Sequence, residues 1–138
     1  MSLTNQKGEK QMRSNREEMP VAFEEDGIVS RQERWAEMNV AIETAPAGMD
    51  TRPMFKGLSG DACQCPHWGY VVKGSARVIY PDREEIIKAG DTYYLEPGHN
   101  LLVEEDGEIV EFSPAGEYQK TMEAVAENMQ TPQGVQEA

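Results

Sequence analysis

At 138 residues the chain has the size of one domain, long enough to bury a core and too short for two. Its 25 acidic residues against 13 basic ones give a formal net charge of -12, which repels the phosphates of nucleic acids and anionic lipid surfaces. No stretch approaches the roughly 18 apolar residues that cross a bilayer, and residues 1–13 carry no apolar signal core. These features predict a cytoplasmic protein with no nucleic-acid or membrane partner.

Residues 1–19 are polar, with almost no apolar side chain to offset the entropy of ordering them, and predict a mobile N-terminal tail. From Pro20 the chain turns to short alternating apolar runs broken by Gly, Pro and Asp, the texture of an all-β sandwich or barrel. Met38, Val40 and Ile42 mark one face of a strand, with Asn39, Ala41 and Glu43 on the other. Turn signals at 45–48, 57–60, 73–74, 81–83, 89–91, 97–98 and 105–107 then separate candidate strands near 54–58, 62–66, 68–73, 75–80, 84–88, 92–95, 100–104 and 108–112. This order predicts an antiparallel meander, with no helix long enough for a parallel crossover. Ser113 is a candidate cap for a helix opening at Pro114. Tyr118, Met122, Val125 and Met129 form one apolar stripe over 114–129, suited to packing on the barrel or on a second subunit. Residues 130–138 return to tail composition.

Chemistry concentrates in Cys63, Cys65 and His67, which share one face of an extended chain because side chains at i, i+2 and i+4 project together. His99, the second of the chain's two histidines, follows Pro97 and Gly98 at the start of a later strand. Thiols two residues apart are poorly placed for an unstrained disulfide and cannot staple distant loops, so reduced metal-ligating thiols fit better. A thiolate and imidazole set suits zinc. All four donors would close a structural Cys2His2 tetrahedron, whereas three would leave a position for water or a ligand. The ordinary alternatives are buried cysteines that pack as small apolar residues and a turn histidine bonded to backbone. Trp68, Tyr70, Tyr80, Tyr93, Tyr94 and Phe112 are candidates to wall a small-molecule cavity or simply to fill the core.

Tyr70-Val71-Val72-Lys73-Gly74, followed by Ala89-Gly90-Asp91-Thr92-Tyr93-Tyr94-Leu95-Glu96-Pro97-Gly98-His99, resembles the two motif regions of the cupin superfamily over roughly residues 60–112. The run CQCPHWGYVVKG with GDTYYLEPGHN is similar to a subgroup of small single-domain cupins. The resemblance implies an all-β, cupin-type jelly-roll barrel over residues 20–129 with a C-terminal α-helix, a divalent metal inside the barrel, and a homodimer. The cupin pattern pairs two His one residue apart with a Glu, a Gly seven residues after the Glu, and a His in the second motif. Here His67 stands at the Glu position. Ungapped counting puts Asp61 and Cys63 at the paired-His positions; a loop shorter by two residues puts Cys63 and Cys65 there, and this second alignment uses both thiols. His99 lies two residues before the usual His position, held here by Leu101, which preserves strand parity. The implied ligand set is Cys63, Cys65, His67 and His99, with zinc as the metal. No motif Glu remains, so a general base would come from elsewhere, with Glu96 as the candidate. The expectation is a binding or structural metal site with a small-molecule pocket, the alternative being a metal-dependent enzyme acting on a small molecule in the barrel.

Overall fold

The computed structural model describes residues 11–130, so the tail predictions for 1–10 and 131–138 fall outside the described residues. Within 11–19, the Gln11 carbonyl accepts a hydrogen bond from Trp35 Nε1 at 2.9 Å, Arg16 pairs with Glu108 at 3.4 Å, and Met19 is buried.

The strands are β1 (Val21–Glu25), β2 (Ile28–Trp35), β3 (Met38–Ala45), β4 (His67–Ile79), β5 (Glu84–Lys88), β6 (Thr92–Leu95) and β7 (Asn100–Pro114). The helix α1 (Ala115–Gln130) ends the described chain. All pairings are antiparallel, in the order β1-β2-β3-β7-β4-β5, with β6 on β4 beside β7's opposite edge. This is the expected all-β barrel with a C-terminal helix. The hairpin joining β1 to β2 turns on Asp26 and Gly27, both at positive φ (54° and 83°), the Asp-Gly chemistry of a two-residue turn.

Three local expectations are corrected. Residues 68–73 and 75–80 are not two strands but parts of the single bent β4, and 100–104 and 108–112 likewise belong to β7. The turn signal at Lys73-Gly74 marks a bulged corner, where the β4–β7 register slips between Val71 and Ala76. Gly74 sits there at φ 80°, and a Cβ on it would lie 2.3 Å from the Asp106 carbonyl oxygen, so the two chains can cross only over a glycine. The predicted strands 54–58 and 62–66 are instead turns, a short 3-10 segment (Ser59–Asp61) and one isolated bridge between Cys63 and His99. Lastly, Pro114 still belongs to β7 and the helix opens at Ala115.

The interior has two ends of different character. At one, Val71, Val78, Tyr80, Ile87 and Leu95 form the apolar core, with Ala76, Tyr93, Leu101 and Ile109 packed against it. At the other, the inward residues of β3 and β7 are polar. Register pairs Asn39 with Ser113 and Ala41 with Glu111, while Glu43 lies opposite Ile109. The face carrying Met38, Val40 and Ile42 therefore looks away from the interior, although Val40 itself is buried. Helix α1 lies across this polar end.

Candidate metal centre

Cys63, His67 and His99 arrive from three places in the fold. His67 opens β4, His99 ends the turn before β7, and Cys63 lies on the irregular segment bridged to His99. Two backbone bonds make that bridge, from Cys63 N to His99 O at 2.9 Å and from Gly98 N to Cys63 O at 2.7 Å. They fix the Cys63 side chain beside the histidine that follows the glycine turn. One donor atom from each of the three residues lies within 4.8 Å of the others, and all three side chains are buried. The imidazoles meet edge to face, with centroids 5.2 Å apart.

A hydrogen bond to a carbonyl sets the tautomer of one ring, His99. His99 Nδ1 lies 2.7 Å from the Glu96 carbonyl oxygen; a carbonyl only accepts, so Nδ1 carries the hydrogen and Nε2 keeps its lone pair. His67 Nδ1 lies 2.6 Å from Ser113 Oγ and 3.6 Å from a Glu111 oxygen, while its Nε2 faces Cys63 Sγ at 3.5 Å. Burial holds both imidazoles neutral, with pKa values near 4. It also pushes the Cys63 thiol up to about 12. Without a cation the group is therefore two neutral imidazoles and a protonated thiol.

That donor set fits a tetrahedral ion. Zinc bonds of ~2.3 Å to sulfur and ~2.05 Å to nitrogen put neighbouring donor atoms about 3.6 Å apart, and the Cys63 to His67 separation is 3.5 Å. Cys65 is equally buried but outside this group, its Sγ 3.4 Å from the Pro66 carbonyl, and Pro66 breaks the strict alternation that would have aligned it with Cys63. Three such donors would leave a tetrahedral ion one free position, and a cavity of about 110 Å³ opens beside them. It is walled by Glu43 and Glu111 on the sheet, Met54 and Phe55 on the loop, and Tyr118, Thr121, Met122 and Val125 on α1. The apolar stripe of α1 thus packs on the barrel. Asn128 ties the helix to the loop by donating to the carbonyls of Met54 and Lys56, both at 2.8 Å.

Two features differ from the sequence reading. The Glu96 carboxylate, the candidate base, pairs with Arg83 at 2.6 Å on the surface, and only its backbone carbonyl reaches the site. Ser113, the candidate helix cap, places its hydroxyl against His67. The carboxyls that do face the cavity are Glu43 and Glu111, which sequence reasoning missed. Their alternation with Ala41 and Ile109 on paired strands was the available signal, but acidic residues at such positions ordinarily mark an outer face. Glu111 accepts a hydrogen bond from Tyr93 at 2.8 Å, and Glu43 accepts one from Ser30 at 2.5 Å. Gln32 extends this network by donating to Ser30 at 2.8 Å and Tyr118 at 2.6 Å. Burial raises both carboxyl pKa values, and the charge of Glu111 adds to the rise at Glu43. Of the six aromatic candidates, Tyr93 walls the interior and Tyr80 is core, while Trp68, Tyr70, Tyr94 and Phe112 are 41–46 % exposed on the outer face.

No protein-family model matches the chain, and no curated protein does. Solved structures do match it in fold. An RmlC-like cupin from Shewanella frigidimarina superposes with a TM-score of 0.59 at 17% identity, covering 80% of this chain and 96% of that one. The polyketide cyclase RemF from Streptomyces resistomycificus gives 0.58 at 14% identity over 76% and 80% of the two chains. A cupin superfamily protein from Desulfitobacterium hafniense gives 0.52 at 8% identity over 68% and 83%.

Proposed function

From the premise that this chain has the cupin fold, we propose that it is a small-molecule-binding protein whose ligand meets a divalent metal, zinc first, held by Cys63, His67 and His99. The observation that carries this reading is the convergence of three buried soft or borderline donors, within 4.8 Å, beside a cavity. When bound, such an ion supplies Lewis acidity at its free position. The protein's own part is to hold His99 in the ligating tautomer through the Glu96 carbonyl, to orient His67 through Ser113, and to keep water out with α1. The closed alternative recruits Cys65 as fourth ligand and makes the site structural.

Metal analysis separates the two. Cys63→Ser, His67→Ala and His99→Ala should each lower bound zinc at least tenfold, while Cys65→Ser should retain it. Loss of zinc in Cys65→Ser would establish the closed set, and retention in all four variants would end the metal reading. Proton release gives a second count. With the thiol near 12 and the histidines near 4, zinc binding at pH 7 displaces one proton if Cys63 binds alone and two if Cys65 joins it. Calorimetry in buffers of different ionisation enthalpy reads this number, in a Glu43→Gln, Glu111→Gln background to remove the protons of both cavity carboxyls.

Glu111 favours a second reading, a metal-dependent enzyme. It is a buried carboxyl with a raised pKa at the cavity wall, bonded to Tyr93, where it is suited to accept a proton from a metal-bound water or substrate. Hydrolysis of 4-nitrophenyl acetate by the zinc-loaded protein, reduced 10²-fold or more in Glu111→Gln at unchanged zinc content, would support it; no turnover above free zinc would count against it. We assign the chain to the cytoplasm on its two free thiols, and to a homodimer through its outer sheet face; among the described residues no helix is long and apolar enough to cross a membrane.

A further inference from the structure

The cavity beside the metal donors has a neighbour. A second cavity, about 80 Å³, lies in the apolar half of the barrel. The two share six wall residues: Ile28, Glu43, Met49, Leu95, Leu101 and Ile109. They therefore stand back to back across one layer of side chains. Beyond that layer the second chamber is walled mainly by aliphatic groups such as Val71, Ala76, Ile87 and Val103. Its polar residues are Glu43 at the partition and, beyond it, Tyr93, Thr44, Lys73 and Ser75, of which Lys73 is exposed. A water among the aliphatic walls would lack the two or more partners it needs, so this space suits carbon.

We propose that the two chambers form one bipartite pocket for a short aliphatic ligand, whose oxygen-donor head lies at Cys63, His67 and His99 and whose chain crosses the partition into the apolar chamber. The inference rests on the metal reading above and adds the class of ligand to it. With a water-sized group occupying ~30 Å³, the apolar chamber takes about three carbons. Two more span the partition, giving a chain of roughly five carbons behind the head group. Helix α1 covers the metal end, whereas Thr44, Ala45, Lys73 and Gly107 line both the apolar chamber and an adjoining surface hollow. The chain end of the ligand therefore points toward the open end of the barrel.

The test uses the cobalt(II)-loaded full chain and straight-chain hydroxamic acids from acetohydroxamate to octanohydroxamate, read by the visible spectrum of cobalt. Affinity should rise about fourfold per methylene up to a chain of about five carbons and then level off. Val103→Phe, and more gently Ala76→Val, should flatten that rise while leaving acetohydroxamate binding unchanged. Equal affinity along the series in the unmodified protein would overturn the bipartite pocket and leave the metal site standing. Should the chain take up no cobalt, the metal reading fails, and the apolar chamber is judged separately on metal-free protein with n-pentanol against methanol. Chemical-shift changes at the Val71, Ile87 and Val103 methyls, which line the apolar chamber and not the metal-side cavity, would if specific to pentanol retain the chamber, and none would remove it.

Discussion

Glu43 shows how a single residue places the site under opposing constraints. Its carboxyl is held above the usual 4.5 first by burial and then by the charge of Glu111, with Ser30 opposing. A folded-state pKa raised above the unfolded value means that stability is fully present below the unfolded pKa and lost as pH rises through the folded one. His67 and His99 act in the other direction: with folded values near 4 against 6.5 unfolded, they remove stability as pH falls from 6.5 toward 4. The metal-free protein should therefore have a shallow stability maximum in mildly acidic solution. Glu43→Gln keeps an acceptor for Ser30 and removes the alkaline loss, so we expect its melting temperature at pH 8 to exceed that of the parent by about 3–6 °C. The difference should close by pH 4, as followed by circular dichroism. A variant no more stable than the parent at pH 8 would show that the carboxyl is not penalised there.

At the scale of elements, the barrel corner at Gly74 is a sharper constraint than the glycines of the turns. Gly90 has φ 95° but open space around its missing Cβ, whereas Gly74 combines φ 80° with backbone 2.3 Å away. Gly90→Ala should cost about 1 kcal/mol of strain, and Gly74→Ala distinctly more, because β7 must move. Urea unfolding of the two variants measures the gap, and equal costs would refute the crossing as the reason for the glycine. This corner also explains what was legible in the sequence. Alternation found the strands of the second half, and helical spacing found α1. The Gly signals at 74 and 107, however, read as chain reversals when they serve a bulge and a close crossing. A glycine's positive φ or its lack of a side chain fits either role, and only the partner strand decides. In the site, the three donors Cys63, His67 and His99 stood out because each residue type is rare here. Glu111 and Ser113 did not, because their inward direction follows from a pairing with β3 that no local pattern contains.

Among the described residues, one apolar face of the sheet stays exposed. Trp68, Tyr70 and Val72 alternate along β4 on the outer face, with Tyr94 opposite Trp68 on β6 and Phe112 opposite it on β7. Trp68 and Tyr94 already stack at 5.2 Å. Because the stripe on α1 is spent on the barrel, this face is where the proposed homodimer would form, since apolar patches of this kind commonly mark interaction surfaces. Light scattering should give a dimer for the parent chain and a folded monomer for Trp68→Lys combined with Tyr94→Lys. A parent chain that stays monomeric up to millimolar concentration would remove the assignment.

The tie between Asn128 and the Met54 and Lys56 carbonyls sets a clock as well as a shape. If a group held at His99 exchanges past α1 rather than through the open end of the barrel, its lifetime is governed by undocking of the helix rather than by bond strength at the site. Asn128→Ala should shorten that lifetime, and stopped-flow extraction of zinc by a chelator would reveal faster release at an unchanged equilibrium zinc affinity. Release at the parent rate would show that the path out runs elsewhere.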